Sequence, residues 1–152
     1  MDMLPQTWPP EIDIAEFGGR HEGGVNAMTL HYGVWPDNDS DTQAYDASTL
    51  GLGDNYNNAF HTYGLLWEPG KVVWYVNGVP IRTVVENIPE DPLFVLLSDE
   101  IRKLGTSGNP SGEWFGNPAI GDYSLPRVTE YEWVRVWQRV TFVQFLPLIG
   151  RP

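Results

Sequence analysis

The sequence predicts an all-β fold, and three observations carry that prediction. Glycine and proline together supply 29 residues (16 plus 13), the punctuation that many short strands and tight turns require. Apolar and polar residues alternate with period two along several short runs, as on strands whose two faces meet different surroundings. Between two such runs stands Asn77-Gly78, a strong hairpin signal because both residues tolerate the positive φ of a tight turn. A chain of 152 residues suits one domain and is long enough to bury a core.

The first strand is Glu11-Ile12-Asp13-Ile14-Ala15-Glu16-Phe17, entered through Pro9-Pro10 and left through Gly18-Gly19. Alternation places Glu11 and Asp13 on one face and turns Glu16 to the other. One extra residue near Ile14 or Ala15, forming a β-bulge, would return Glu16 to the first face. Like charges within reach of one another ionise at a cost, and retaining glycoside hydrolysis uses that cost. It needs one ionised carboxylate as nucleophile and one protonated carboxyl as general acid, about 5 to 5.5 Å apart. Glu11 and Glu16 fit those roles, with Asp13 between them to bond the nucleophile and hold the field that keeps Glu16 protonated. The same spacing also fits an acidic edge strand that guards against aggregation.

Trp8 precedes this strand, its ring available either to stack on a sugar or to pack in the core. The next run, Ala27 to Trp35, puts Thr29 and His31 on one face and Met28, Leu30, Tyr32 and Val34 on the other. It should pair beside the acidic strand. His31 would then bond a carboxylate or a sugar hydroxyl, or else be a satisfied structural residue. Asp37-Asn38-Asp39-Ser40-Asp41 begins like a calcium loop, but Thr42 stands where glycine is needed and Ser48 where the bidentate glutamate belongs. It is expected to be a solvated acidic loop, followed by a Gly- and Asn-rich turn region over Thr49 to Asn58. Strands resume with His61 to Trp67, a turn at Glu68-Pro69-Gly70, and the hairpin Lys71 to Val76 with Val79 to Val84. Leu93 to Leu97 is apolar on both faces, as in a strand covered on both sides. Arg102 to Tyr123 is a long loop in which Trp114 is a second sugar-stacking candidate, again against a packing role. Tyr131 to Trp137 reads as a last strand.

Glu11-Ile12-Asp13-Ile14-Ala15-Glu16-Phe17 resembles the E-x-D-x-x-E motif of glycoside hydrolase family 16, which includes laminarinases, β-agarases and κ-carrageenases. Phe60 to Gly70 followed by Val72 to Gly78 is similar to that family's strand pair after the active site, and Glu132 to Gln138 to its last core strand. The resemblance implies a concanavalin-like jelly-roll β-sandwich, with Glu11 as nucleophile, Asp13 as its assisting acid and Glu16 as acid/base. It places Trp8 along the cleft, supports His31 beside the carboxylates, and implies an extracellular enzyme of polymer degradation. Neither an organic cofactor nor a metal is called for, since this hydrolysis needs only carboxylates and water.

Charge narrows the partners. Nine Lys and Arg stand against 20 Asp and Glu, for a formal charge of −11, which repels nucleic-acid backbones and anionic membranes. A neutral β-glucan meets no such barrier, whereas a sulfated polysaccharide does. There is no cysteine, so neither a disulfide framework nor thiol chemistry enters. Met1-Asp2-Met3-Leu4-Pro5 lacks the features of a secretory signal, and Phe142 to Ile149 is too short to span a bilayer.

The expected organisation is a family 16-like catalytic domain over residues 1–140, corresponding to its C-terminal portion, and a tail or linker over 141–152. Such sandwiches run ~200 to 250 residues, yet ten residues precede Glu11, so the domain reads as truncated at its N-terminus. A half sandwich exposes sheet edges and apolar faces and would associate, swap strands with a copy, or bind the absent portion. The function expected is a retaining endo-hydrolase of β-1,3 or mixed β-1,3/1,4-glucan. The alternatives are an incomplete or non-catalytic glycan-binding module and a β-agarase-type hydrolase.

Overall fold

The structure is a computed structural model that describes residues 8–18, 23–99 and 128–139. The chain divides into two compact units, Met1–Asp122 and Tyr123–Pro152. Among the described residues of the first, six strands form two antiparallel three-stranded sheets. One sheet has the order β1 (Glu11–Phe17), β2 (Val25–Tyr32), β3 (Asp39–Asp46), and the other β4 (Tyr63–Glu68), β5 (Lys71–Val76), β6 (Val79–Val84). Two short 3-10 turns, Ala47–Leu50 and Tyr56–Asn58, connect them.

The alternation that predicts strands also decides where the core lies. Met28 and Leu30 of β2 meet Val72, Trp74 and Val76 of β5 in one fully buried cluster, flanked by Ile12, Leu65 and Trp67. Burying side chains of this size stabilises the fold by about 2 kcal/mol each. The two sheets are therefore the layers of a β-sandwich, as expected. Asn77 (φ 51) and Gly78 (φ 78) both take the left-handed conformation that closes the β5–β6 hairpin. Phe17 anchors the end of β1 by ring contacts with Tyr56 at 5.2 Å and Tyr63 at 5.6 Å.

Three expectations are corrected. Asp39 to Asp46 is strand β3, pairing along its length from Tyr32↔Asp39 to Val25↔Asp46, and so takes in Asp39 to Asp41 of the loop expected over Asp37 to Asp41. Its side chains are almost all exposed, because an edge strand is held by backbone bonds to one neighbour and needs no apolar face. Conversely, Leu93 to Leu97 and Tyr131 to Trp137 form no strand, and Phe94, Leu96, Trp133 and Trp137 are exposed. Apolar residues on both faces become a strand only between neighbouring strands, and among the described residues none pairs with either segment. In the second unit the Arg135 guanidinium lies 4.7 Å over the Trp133 ring. No helix among the described residues is long and apolar enough to cross a membrane.

Candidate active site

The site is built on β1 by a break in its register. Glu11 stands opposite His31, Asp13 opposite Thr29, and Glu16 opposite Ala27, with a shift between Asp13 and Glu16. Opposed residues of an antiparallel pair share a face. Because His31, Thr29 and Ala27 are alternate residues of β2, the three acids share one face too. In regular pairing Glu16 would face Asn26, on the side of Met28 and Leu30 and the core. A bulge at Ile14-Ala15, the case the sequence left open against strict alternation, moves it, and the acids are half-buried.

The carboxylates have distinct partners. Trp8 Nε1 donates to Glu11 Oε2 at 2.6 Å, and His31 Nε2 lies 3.1 Å from Asp13 Oδ2. Bonding to Asp13 raises the His31 pKa above its ordinary 6.5; partial burial opposes the rise, and the negative charges of Asp13, Glu11 and Glu16 add to it. A protonated His31 therefore offsets part of the charge the acids bring together. Donor atoms of Glu11, Asp13 and His31 lie within 4.8 Å of one another, a set that could ligate a cation. The Asp13–His31 bond accounts for much of that closeness.

Aromatic rings border the acids. The Trp8 ring is 5.5 Å from His31 and 6.4 Å from Trp35. Trp8 is 44% and Trp35 70% exposed, so both offer ring surface to a sugar face. Sequence reasoning singled out Trp8 but passed over Trp35, whose signal is its place just past the end of β2, in line with His31. Trp114 lies outside the described residues.

Three buried side chains that the sequence did not point to also reach this region. Trp74 Nε1, from the opposite sheet, donates to the Asp13 carbonyl at 2.9 Å. The Glu16 N–H donates to Asn26 Oδ1 at 3.1 Å. Arg82 lies 4.8 Å over the Trp74 ring, donates to the Met28 carbonyl and pairs with Asp41 Oδ1 at 2.6 Å.

Comparison with known proteins identifies the family. Residues 2–120 match the model of the glycosyl hydrolases family 16. The chain belongs to that family. Family 16 relatives include an endo-1,3-1,4-beta-glycanase of Rhizobium meliloti (strain 1021), 30% identical over 84% of this chain and 26% of its own length. A glucan endo-1,3-beta-glucosidase A1 of Niallia circulans is 30% identical over 90% of this chain and 21% of its own. A beta-glucanase of Paenibacillus polymyxa is 31% identical over 82% and 44%. The chain thus spans less than half the length of each of these family 16 relatives, and the two antiparallel sheets are part of the family's jelly-roll sandwich.

Proposed function

We propose that this chain carries the catalytic acids of a retaining, endo-acting β-glucan hydrolase that cleaves β-1,3 or mixed β-1,3/1,4 linkages outside the cell. The observation that carries the proposal is the register shift between Asp13 and Glu16, which sets three carboxylates on one face beside His31 and two exposed tryptophans. Glu16 donates its proton to the glycosidic oxygen while Glu11 attacks the anomeric carbon. Trp8 bonds Glu11 Oε2, leaving Oε1 to form the ester. Asp13, paired with His31, supplies the field that holds the Glu16 proton before attack. Glu16, left as a carboxylate once its proton is on the leaving group, then takes a proton from the water that attacks the anomeric carbon, and the ester bond to Glu11 breaks to free the product.

The relatives' names speak of 1,3- and 1,3-1,4-glucans, and the charge of −11 suits a neutral polymer. A second reading, a glycan-binding module, is favoured by the exposed Trp8–Trp35 pair. Incubating the chain with laminarin, lichenan and agarose while measuring reducing ends separates the two. Release from laminarin or lichenan that Glu11→Gln abolishes is expected. Binding without release, in a folded sample, would leave the second reading. Equal release by Glu11→Gln would sink the catalytic assignment.

A further inference from the structure

We infer that Trp74 and Asn26 are positioning residues that hold the β1 bulge in register and so keep Glu16 on the face it shares with Glu11. This rests on the catalytic role proposed for those acids. A bulge leaves the ladder locally broken, and buried backbone groups freed there need other partners. The two bulge residues, Ile14 and Ala15, which stand opposite the single residue Met28, are bracketed by the Asp13 carbonyl and the Glu16 N–H. Each of these is bonded by a side chain: the Trp74 indole at 2.9 Å and the Asn26 carboxamide at 3.1 Å.

Both side chains are themselves fully buried. Trp74 is fixed under the Arg82 guanidinium, which also bonds Met28, the residue opposite the bulge that the register pairs with neither Ile14 nor Ala15. The bulge is thus held from both of its strands through one stacked pair. Asn26 makes its bond to Glu16 at a cost, since its Nδ2 is buried with no hydrogen-bond partner, and an apolar side chain at this core position would carry no such penalty. A carboxamide here gains only what it does for Glu16. A bulge placed one residue earlier or later would redirect Asp13 or Glu16, so fixing its position fixes the spacing of the proposed acid pair.

The test uses Trp74→Phe and Asn26→Leu, which keep apolar volume but remove the donor and the acceptor. Trp67→Phe is the control, because it also loses a part-buried indole bond, 2.9 Å to the Pro89 carbonyl, away from β1. On a hydrolysable glucan both clamp variants should lower kcat about tenfold or more with KM nearly unchanged, while Trp67→Phe keeps kcat. The pKa of His31, read by NMR, should fall toward 6.5 in the clamp variants alone, as Asp13 and Glu16 draw away. If the wild type releases no reducing ends, the proposed function fails, and the His31 titration by itself still decides the clamp. Folded clamp variants that match Trp67→Phe in His31 pKa, and in kcat where there is turnover, would overturn it. Either variant suffices if the other does not fold. If neither folds, hydrogen exchange in the wild type decides. Protection of the Glu16 amide and the Trp74 indole equal to that of the β5 amides supports the clamp, and rapid exchange of either refutes it.

Discussion

His31 is the residue at which structure and pH meet. Its pKa is raised in the folded state by Asp13 first, and then by Glu11 and Glu16 against partial burial. The protonated form is therefore the one that folding favours, and its contribution is complete below 6.5 and lost as pH rises through the folded value. His31→Gln should cost more stability at pH 5.5 than at pH 9, a difference below about 1 kcal/mol because solvent screens the pair. Urea unfolding of both proteins at the two pH values checks it, and a larger cost at pH 9 would contradict the assignment. At the rim, Trp35→Ala should raise KM several-fold with kcat little changed, since a stacking ring binds ground and transition states alike. Initial rates across substrate concentrations show it. The sequence made Glu11, Asp13, Glu16 and His31 legible because their neighbours are one strand away. Trp74 was hidden, because its bond to Asp13 joins residues 61 positions apart and an apolar-looking strand gives no sign of which tryptophan donates across the core.

Among the elements, β1 is the one whose irregularity matters and β3 the one whose composition misleads. The bulge was legible from an odd number of steps between acids that belong together. By contrast, Asp39-Ser40-Asp41-Thr42 has the polarity of a loop, and only backbone pairing with β2 makes it a strand. Arg82 ties β6 to that polar edge, bonding the Met28 and Asp41 carbonyls and the Asp41 carboxylate. Arg82→Met should therefore destabilise the chain by about 2 to 4 kcal/mol, because it strips a buried carbonyl of its donor and removes the guanidinium stacked over Trp74. Asp41→Asn should cost under about 1 kcal/mol, as that carboxylate is half-exposed and Arg82 keeps its backbone acceptors. Chemical denaturation of the two variants checks the order, and equal losses would contradict it.

At the scale of the whole molecule, the two three-stranded sheets of the first unit's described residues cover one core and leave apolar side chains such as Phe94 and Leu96 in solvent. Leu93 to Leu97 carries the pattern of a strand covered on both faces, which is legible in sequence, but the strands that would cover it are not among the described residues. Surface of this kind drives association, so light scattering should find this chain larger than a monomer, and a monodisperse monomer would contradict that expectation. What unites the molecule is the arrangement that puts Glu11 and Glu16 on one face of β1, where the proposed function has the first attack and the second donate. The most direct test is mass spectrometry of peptides after incubation with an activated 2-deoxy-2-fluoro-β-glucan oligosaccharide, which slows release of the glycosyl enzyme. The account predicts a single glycosyl adduct on the peptide, placed on Glu11 by fragmentation. An adduct on Asp13 or Glu16, or hydrolysis of natural glucan with no trapped enzyme, would contradict it.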